Sequence, residues 1–114
     1  MPKDRSVVAL RQMLDYAIEA RSLARGSTRA DFDSQRLLNL ALTRLLEIIG
    51  EAANRVPSEE RIRYPGIPWP QLIGMRNRLI HGYDLVDLDL LWQTVTEDLP
   101  PLIQELGKII SPED

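Results

Sequence analysis

The stretch SQRLLNLALTRLLEIIGEAANRV, residues 34–56, contains the chain's longest apolar series with helical spacing. Its apolar residues recur every three or four positions: Leu38, Ala41, Leu42, Leu45, Ile49, Ala52 and Val56. This spacing predicts a long helix from about Asp33 or Ser34 to Arg55. A second apolar set comprises Leu37, Leu40, Leu46 and Ile48. It widens the apolar face beyond what a four-helix core needs, which predicts burial against a second subunit.

Helical spacing also extends on both sides of this stretch. The first helix is predicted from about Arg5 to Ala24. A third main helix is predicted to begin near Trp69 or Pro70, because proline fits the first helical position, and to end at His81.

The last predicted helix begins after Asp87, whose carboxylate can cap it, and extends to about Ile110. Pro100-Pro101 falls inside the pattern and predicts a kink, because proline removes a backbone donor and crowds the preceding turn. No strand-like alternation of useful length is present. We therefore predict an all-α fold, an up-and-down four-helix bundle with a short additional helix at about Ser58, in a single domain over residues 1–114.

The composition limits the classes of function. The chain has no cysteine and one histidine, which excludes disulfides and thiol nucleophiles and leads us to expect no metal and no cofactor. The net charge of −3 argues against general coating of nucleic acid but leaves room for a local site. No run approaches the ~18 apolar residues of a membrane span, so we expect a cytoplasmic protein with no membrane partner.

The lone histidine lies in GMRNRLIHGY, residues 74–83, among the chain's densest group of nitrogen side chains. Histidine can take a proton in one step and return it in the next near neutral pH. We predict His81 in the last helical turn, with Gly82 just beyond the helix. Asn77 is about 40° from His81 on an ideal helix and can reach the same groove, whereas Arg76 is about 140° away. Either the helix end distorts, or Arg76 and His81 meet across a groove formed with another element or another chain.

Three further arginines lie close to this motif in sequence. Arg61, Arg63 and Arg78 fall within eighteen residues of one another, and the guanidinium fork suits phosphate oxygens. They predict a local phosphate-binding patch. The alternative is that these arginines pair with the carboxylates of Glu59, Glu60 or Asp84.

Two glutamates and two tryptophans are expected to have structural roles. Glu47 and Glu51 are expected to be solvated or ion-paired on the polar side of the long helix, with contact to the motif helix as the lesser alternative. Trp69 and Trp92 lie at a helix start and on an apolar face. They predict core or interface positions rather than stacking platforms for bases.

The motif carries a resemblance to a known family. Arg76-Asn77-x-x-x-His81-x-Tyr83 is similar to the R-x4-6-H signature of HEPN domains, and its extended form resembles the HepT toxin branch. The flanking segments LLEIIGEA (45–52), IPW (67–69) and VDL (86–88) also resemble that family. The resemblance covers nearly the whole chain.

The resemblance implies a metal-independent endoribonuclease toxin that works as a homodimer, with two motifs in a cleft at the dimer interface. RNA would be cleaved by acid–base catalysis at His81, with Arg76 stabilising charge on the phosphorane and Asn77 orienting His81 or the phosphate. The implied partner is a minimal nucleotidyltransferase antitoxin that adds AMP to Tyr83. The alternative is a non-catalytic HEPN-like module that binds a nucleotide or a nucleotidyltransferase.

Overall fold

The computed structural model describes residues 2–81 and 85–110, with side chains from Ser6 onward. The helices and strands of these residues are α1 (Pro2–Ala24), α2 (Arg29–Ser34), α3 (Arg36–Arg55), α4 (Ser58–Arg61), α5 (Trp69–Ile73), α6 (Met75–Leu79), β1 (Ile80–His81), β2 (Leu85–Val86), α7 (Leu88–Gln93), a π-helical turn (Thr94–Asp98) and α8 (Leu99–Ile109). The predicted all-α bundle is confirmed. No helix in these residues is long and apolar enough to cross a membrane.

The core lies between α3 and the helices that pack around it. Helix α1 packs along α3 and α8, and α5 and α6 pack on α3 from another side. The α3 side chains of Leu42, Leu46 and Ile49 are fully buried. Burial of each such side chain contributes about 1.5–3 kcal/mol of stability, so α3 organises the fold as its apolar series predicts.

The second apolar set of α3 divides between the core and the surface. Leu46 belongs to the core, so its assignment to a subunit interface is wrong. Leu37 is 83% exposed, Leu40 is also exposed and Ile48 is half-buried. Ala41, from the first set, is exposed as well. Dimerisation through this surface stays a prediction.

The chain that leads into α3 forms a separate short helix. Thr28 caps α2 by accepting a hydrogen bond from the Asp31 backbone N–H, and the Asp31 carboxylate accepts one from the Thr28 N–H in return. The buried Asn39 amide donates to the Phe32 carbonyl at 2.8 Å, which satisfies an acceptor at the break between α2 and α3. The Phe32 ring in turn packs edge-on against Trp92, with ring centroids 5.1 Å apart.

The predicted motif helix is broken at Gly74 and ends earlier than expected. Helix α6 ends at Leu79, and Ile80 is extended, with φ −111° and ψ 124°. The placement of His81 in a final helical turn is therefore wrong, because His81 lies in β1 and pairs with Leu85 of β2. Backbone bonds that would have continued the helix are replaced by this strand pair. Gly82, predicted as the residue that ends the helix, lies outside the described residues.

The last predicted helix is one continuous helical run with a π-helical turn in its middle. Its start is as predicted, because the Asp87 carboxylate accepts a hydrogen bond from the Leu90 N–H at 3.0 Å. The Leu99 N–H donates to the Thr94 carbonyl five residues earlier, directly before Pro100-Pro101. The irregularity predicted at the prolines thus takes the form of a widened turn, which accommodates residues that cannot donate backbone bonds.

Candidate active site

The motif helix approaches α3 closely at Gly50. A Cβ atom added to Gly50 would collide with the Leu72 backbone oxygen and lie 3.2 Å from the Met75 Cβ atom. Leu72, Met75 and Leu79 are buried on the side of α5 and α6 that faces the core. This contact leaves Arg76 and Asn77 exposed on α6.

Arg76 lies beside Glu47 of α3. Its Nη1 atom donates to Glu47 Oε2 at 3.3 Å, and the exposed fractions of the two side chains are 65% for Arg76 and 13% for Glu47. Glu47 is ion-paired, as expected, and because its partner is Arg76 the lesser alternative, contact with the motif helix, also holds. A carboxylate this buried needs a cationic partner, and Arg76 supplies it. Glu51 is ion-paired as expected, with Arg44 at 3.1 Å.

His81 lies beside a different carboxylate. Its Nε2 atom is 3.6 Å from Asp87 Oδ2, and the exposed fractions of the two side chains are 61% and 38%. The strand pair explains the approach, because His81 is opposite Leu85 and Asp87 is two residues further along. Side chains two residues apart on a strand point to the same face, so Asp87 is the diagonal neighbour of His81.

The structure therefore changes the geometry expected for Arg76 and His81. The angle of about 140° between them applied to an ideal helix, and the helix ends before His81. The helix end is thus distorted, as the first alternative requires, and the meeting of Arg76 with His81, within one chain or across two, stays a prediction. Each side chain is mostly exposed and lies beside its own carboxylate. The site therefore contains a guanidinium on α6 and an imidazole on β1.

Arg78 lies on a different side of α6. It is two residues from Arg76, about 200° around an ideal helix. It lines a pocket of about 400 Å³ between α5, α6 and the π-helical turn, together with Glu97 and Asp98. The predicted role of Arg78 in substrate binding stays a prediction, and it requires that the substrate reach this pocket.

Arg61 and Arg63 have structural partners. The Arg61 guanidinium donates to the Val56 and Asn54 carbonyls at 2.8 and 3.2 Å, at the end of α3. Arg63 pairs with Glu60 at 3.2 Å, as the alternative interpretation expected. A phosphate-binding role for either arginine would compete with these contacts and stays a prediction.

Trp69 anchors the segment that leads into the motif. Its indole N–H is shared between the Arg61 and Tyr64 carbonyls at 3.2 and 3.1 Å, and the side chain is buried. The predicted core position of Trp69 is confirmed. Tyr83, the predicted modification site, lies outside the described residues.

Two carboxylates at this site were not assigned a role in it from the sequence. Glu47 is 29 residues from Arg76, and only the packing of α6 on α3 brings them together. Asp87 was predicted as a helix cap alone. Its closeness to His81 depends on a strand pair of two residues per strand, too short to give a recognisable alternation.

Comparisons with known proteins agree with the motif. A family model described as "Ribonuclease HepT-like" matches residues 13–109. A putative RNase of Methanocaldococcus jannaschii is 34% identical over 110 residues, which cover 96% of this chain and 91% of that protein. The probable ribonuclease HepT of Thermococcus cleftensis is 42% identical over 79 residues, covering 69% of this chain and 72% of that protein. No solved structure gives a significant match.

Proposed function

The chain belongs to the HepT-like ribonuclease family, and on this premise we propose that it cleaves RNA internally, without a metal ion, as the toxin of a toxin–antitoxin pair. The observation that carries the proposal is the pair of exposed side chains, Arg76 and His81, at the spacing of the motif and each beside a carboxylate. An imidazole can transfer protons and a guanidinium can stabilise the charge on a phosphorane, so the two groups together can support cleavage of RNA without a metal ion.

The proposed reaction uses the nucleophile that RNA itself carries. The 2′-oxygen loses its proton and attacks the adjacent phosphorus, the bond from phosphorus to the 5′-oxygen breaks, and the 5′-oxygen takes up a proton. His81 takes the first proton or supplies the second, and Arg76 stabilises the charge that develops on the phosphorane. Asn77 orients His81 or the phosphate. The products are a 2′,3′-cyclic phosphate and a 5′-hydroxyl end.

We propose that two protomers form the working enzyme, with their motifs in one interface cleft. Support comes from α3, which carries the exposed Leu37 and Leu40 and also Glu47, the partner of Arg76. Burial of these leucines in a dimer would remove apolar surface from water. Light scattering tests this: Leu37→Glu should shift the protein towards monomer, whereas Val8→Glu, at an exposed valine of α1, should not.

The proposed antitoxin is a minimal nucleotidyltransferase that adds AMP to Tyr83. Tyr83 follows His81 by two residues, so a nucleotide attached there would put a bulky group and a negative charge next to the catalytic side chains. Both effects oppose entry of RNA. Co-expression with a cognate nucleotidyltransferase should add the mass of AMP to the parent protein and not to Tyr83→Phe.

The decisive experiment incubates the unmodified protein with RNA in excess EDTA and analyses the cleaved ends. Cyclic phosphate ends should form with the parent protein and with Arg25→Ala, a substitution at an exposed arginine of the chain segment after α1. His81→Ala should lower the rate by about 10²–10⁴-fold, because proton transfer is lost. Cleavage by His81→Ala at the parent rate would refute the site. Absence of cleavage by the unmodified parent on a range of RNAs would favour the non-catalytic binding module.

A further inference from the structure

We infer that Asp87 is the positioning residue of His81: its Oδ2 atom, 3.6 Å from Nε2, favours the ring proton on Nε2 and leaves Nδ1 as the ring nitrogen that exchanges protons with RNA. The inference deepens the proposed function and rests on it for the role of Nδ1. The contact between Asp87 and His81 is a property of the folded chain and can be tested without RNA.

Asp87 is held in place by three hydrogen bonds. Its backbone N–H donates to the Leu79 carbonyl at 2.7 Å, and its own carbonyl accepts from the Leu91 N–H at 2.9 Å. Its Oδ1 atom accepts from the Leu90 N–H at 3.0 Å as the cap of α7. These three bonds tie Asp87 both to the end of α6 and to the start of α7. The carboxylate is therefore a fixed point beside an imidazole that is itself mostly exposed.

The two carboxylate oxygens have separate tasks. Oδ1 is used by the helix cap, whereas Oδ2 is 3.6 Å from His81 Nε2. A carboxylate only accepts hydrogen bonds, so a neutral imidazole beside it places its ring proton on Nε2. Nδ1 then carries the free lone pair and can accept a proton.

A purely structural role for Asp87 makes a different prediction. Asparagine is as good a helix cap as aspartate, so Asp87→Asn keeps the cap and replaces only the carboxylate. The carboxamide can present an N–H group to Nε2, which favours the opposite tautomer with the proton on Nδ1. If Asp87 were only a cap, this substitution would leave the ring of His81 unchanged.

The chain offers a clean measurement, because His81 is its only histidine. Long-range ¹H–¹⁵N correlation spectra of the ring report which nitrogen carries the proton. We expect the Nε2–H form in the neutral parent and a shift of both ring ¹⁵N signals towards the Nδ1–H form in Asp87→Asn. Asp89→Asn removes a nearby carboxylate whose ion pair with Arg29 is on the surface, so its ring signals should match the parent.

RNA cleavage supplies the second readout. Asp87→Asn should lower kcat by about tenfold or more, because a wrongly protonated ring cannot transfer the proton, and KM should stay near the parent value. Serine also caps helices, so Asp87→Ser should keep the cap while it removes the carboxylate and adds no amide donor. This variant should also lose activity. Unchanged ring signals in Asp87→Asn would overturn the inference whatever the activity. Changed ring signals in a parent that cuts no RNA would uphold the positioning of His81 and count against the proposed function alone.

Discussion

The two candidate catalytic side chains are held by carboxylates of different origin. Arg76 pairs with Glu47, which is largely buried and belongs to a helix 29 residues earlier in the chain. His81 faces Asp87, only six residues later, across a short strand pair. The Arg76 position thus depends on how two helices pack, whereas the His81 position depends on a local turn of the chain. Damage to helix packing and damage to the strand pair should therefore have separable effects on the site.

The largest effect in this comparison should come from Arg76 itself. Arg76→Ala should lower kcat for RNA cleavage by about 10²–10³-fold, because the developing phosphorane charge loses a fixed cation. Arg25→Ala removes the same charge from an exposed site and is the matched control. Cleavage rates of both variants at several salt concentrations check this. Equal losses in the two variants would mean that Arg76 acts only through overall charge.

A substitution at Gly50 tests whether the site depends on the close packing of α5 and α6 on α3. Gly50→Ala should lower the free energy of unfolding by about 1–3 kcal/mol, because the added Cβ must push the Leu72 backbone away from α3. Gly107→Ala is the control, since a Cβ there meets no atom within 4 Å. Urea unfolding of both variants measures the difference. We further expect Gly50→Ala to lower cleavage while it leaves the ring ¹⁵N signals of His81 close to the parent values. A stable Gly50→Ala with full activity would show that the close approach is unimportant.

Substitutions at Asp87, next to the strand pair, should change stability less than Gly50→Ala. Asp87→Ala should destabilise the fold by about 1 kcal/mol through loss of the α7 cap, and Asp87→Asn by only a few tenths. Thermal or urea unfolding of the two variants gives the comparison. If Asp87→Asn were as destabilising as Asp87→Ala, the carboxylate charge rather than the cap would stabilise this part of the fold.

The smallest effect should be the direct coupling between Glu47 and Arg76. Arg76 is mostly exposed, so solvent screens the pair, and a double-mutant cycle with Glu47→Gln and Arg76→Ala should give a coupling of about 0.2–1 kcal/mol in stability. A control cycle with Glu51→Gln and Arg44→Ala, at a more exposed pair, should give a smaller coupling energy. The RNA cleavage rate of Glu47→Gln should also be measured. A lower rate with little change in stability would identify Glu47 as a residue that orients Arg76.

Local sequence signals predicted much of the fold and part of the site. The apolar series of α3, the cap at Asp87 and the disturbance at Pro100-Pro101 each depend on residues within a few positions of one another. The same holds for the motif spacing from Arg76 to His81, because a short motif is contained in one segment. Physical effects of this range can be read from a linear chain.

Tertiary structure decided the rest of the site. Helical periodicity extended the motif helix to His81, yet the strand pair supplied competing backbone bonds and ended it at Leu79. The contact of Glu47 with Arg76 forms because Gly50 lets two helices approach closely, and no local pattern encodes which exposed side chains then meet. The sequence by itself determined the helices and the candidate catalytic residue types. Long-range helix packing decided that Glu47 lies beside Arg76, and a strand pair of two residues per strand decided that Asp87 lies beside His81.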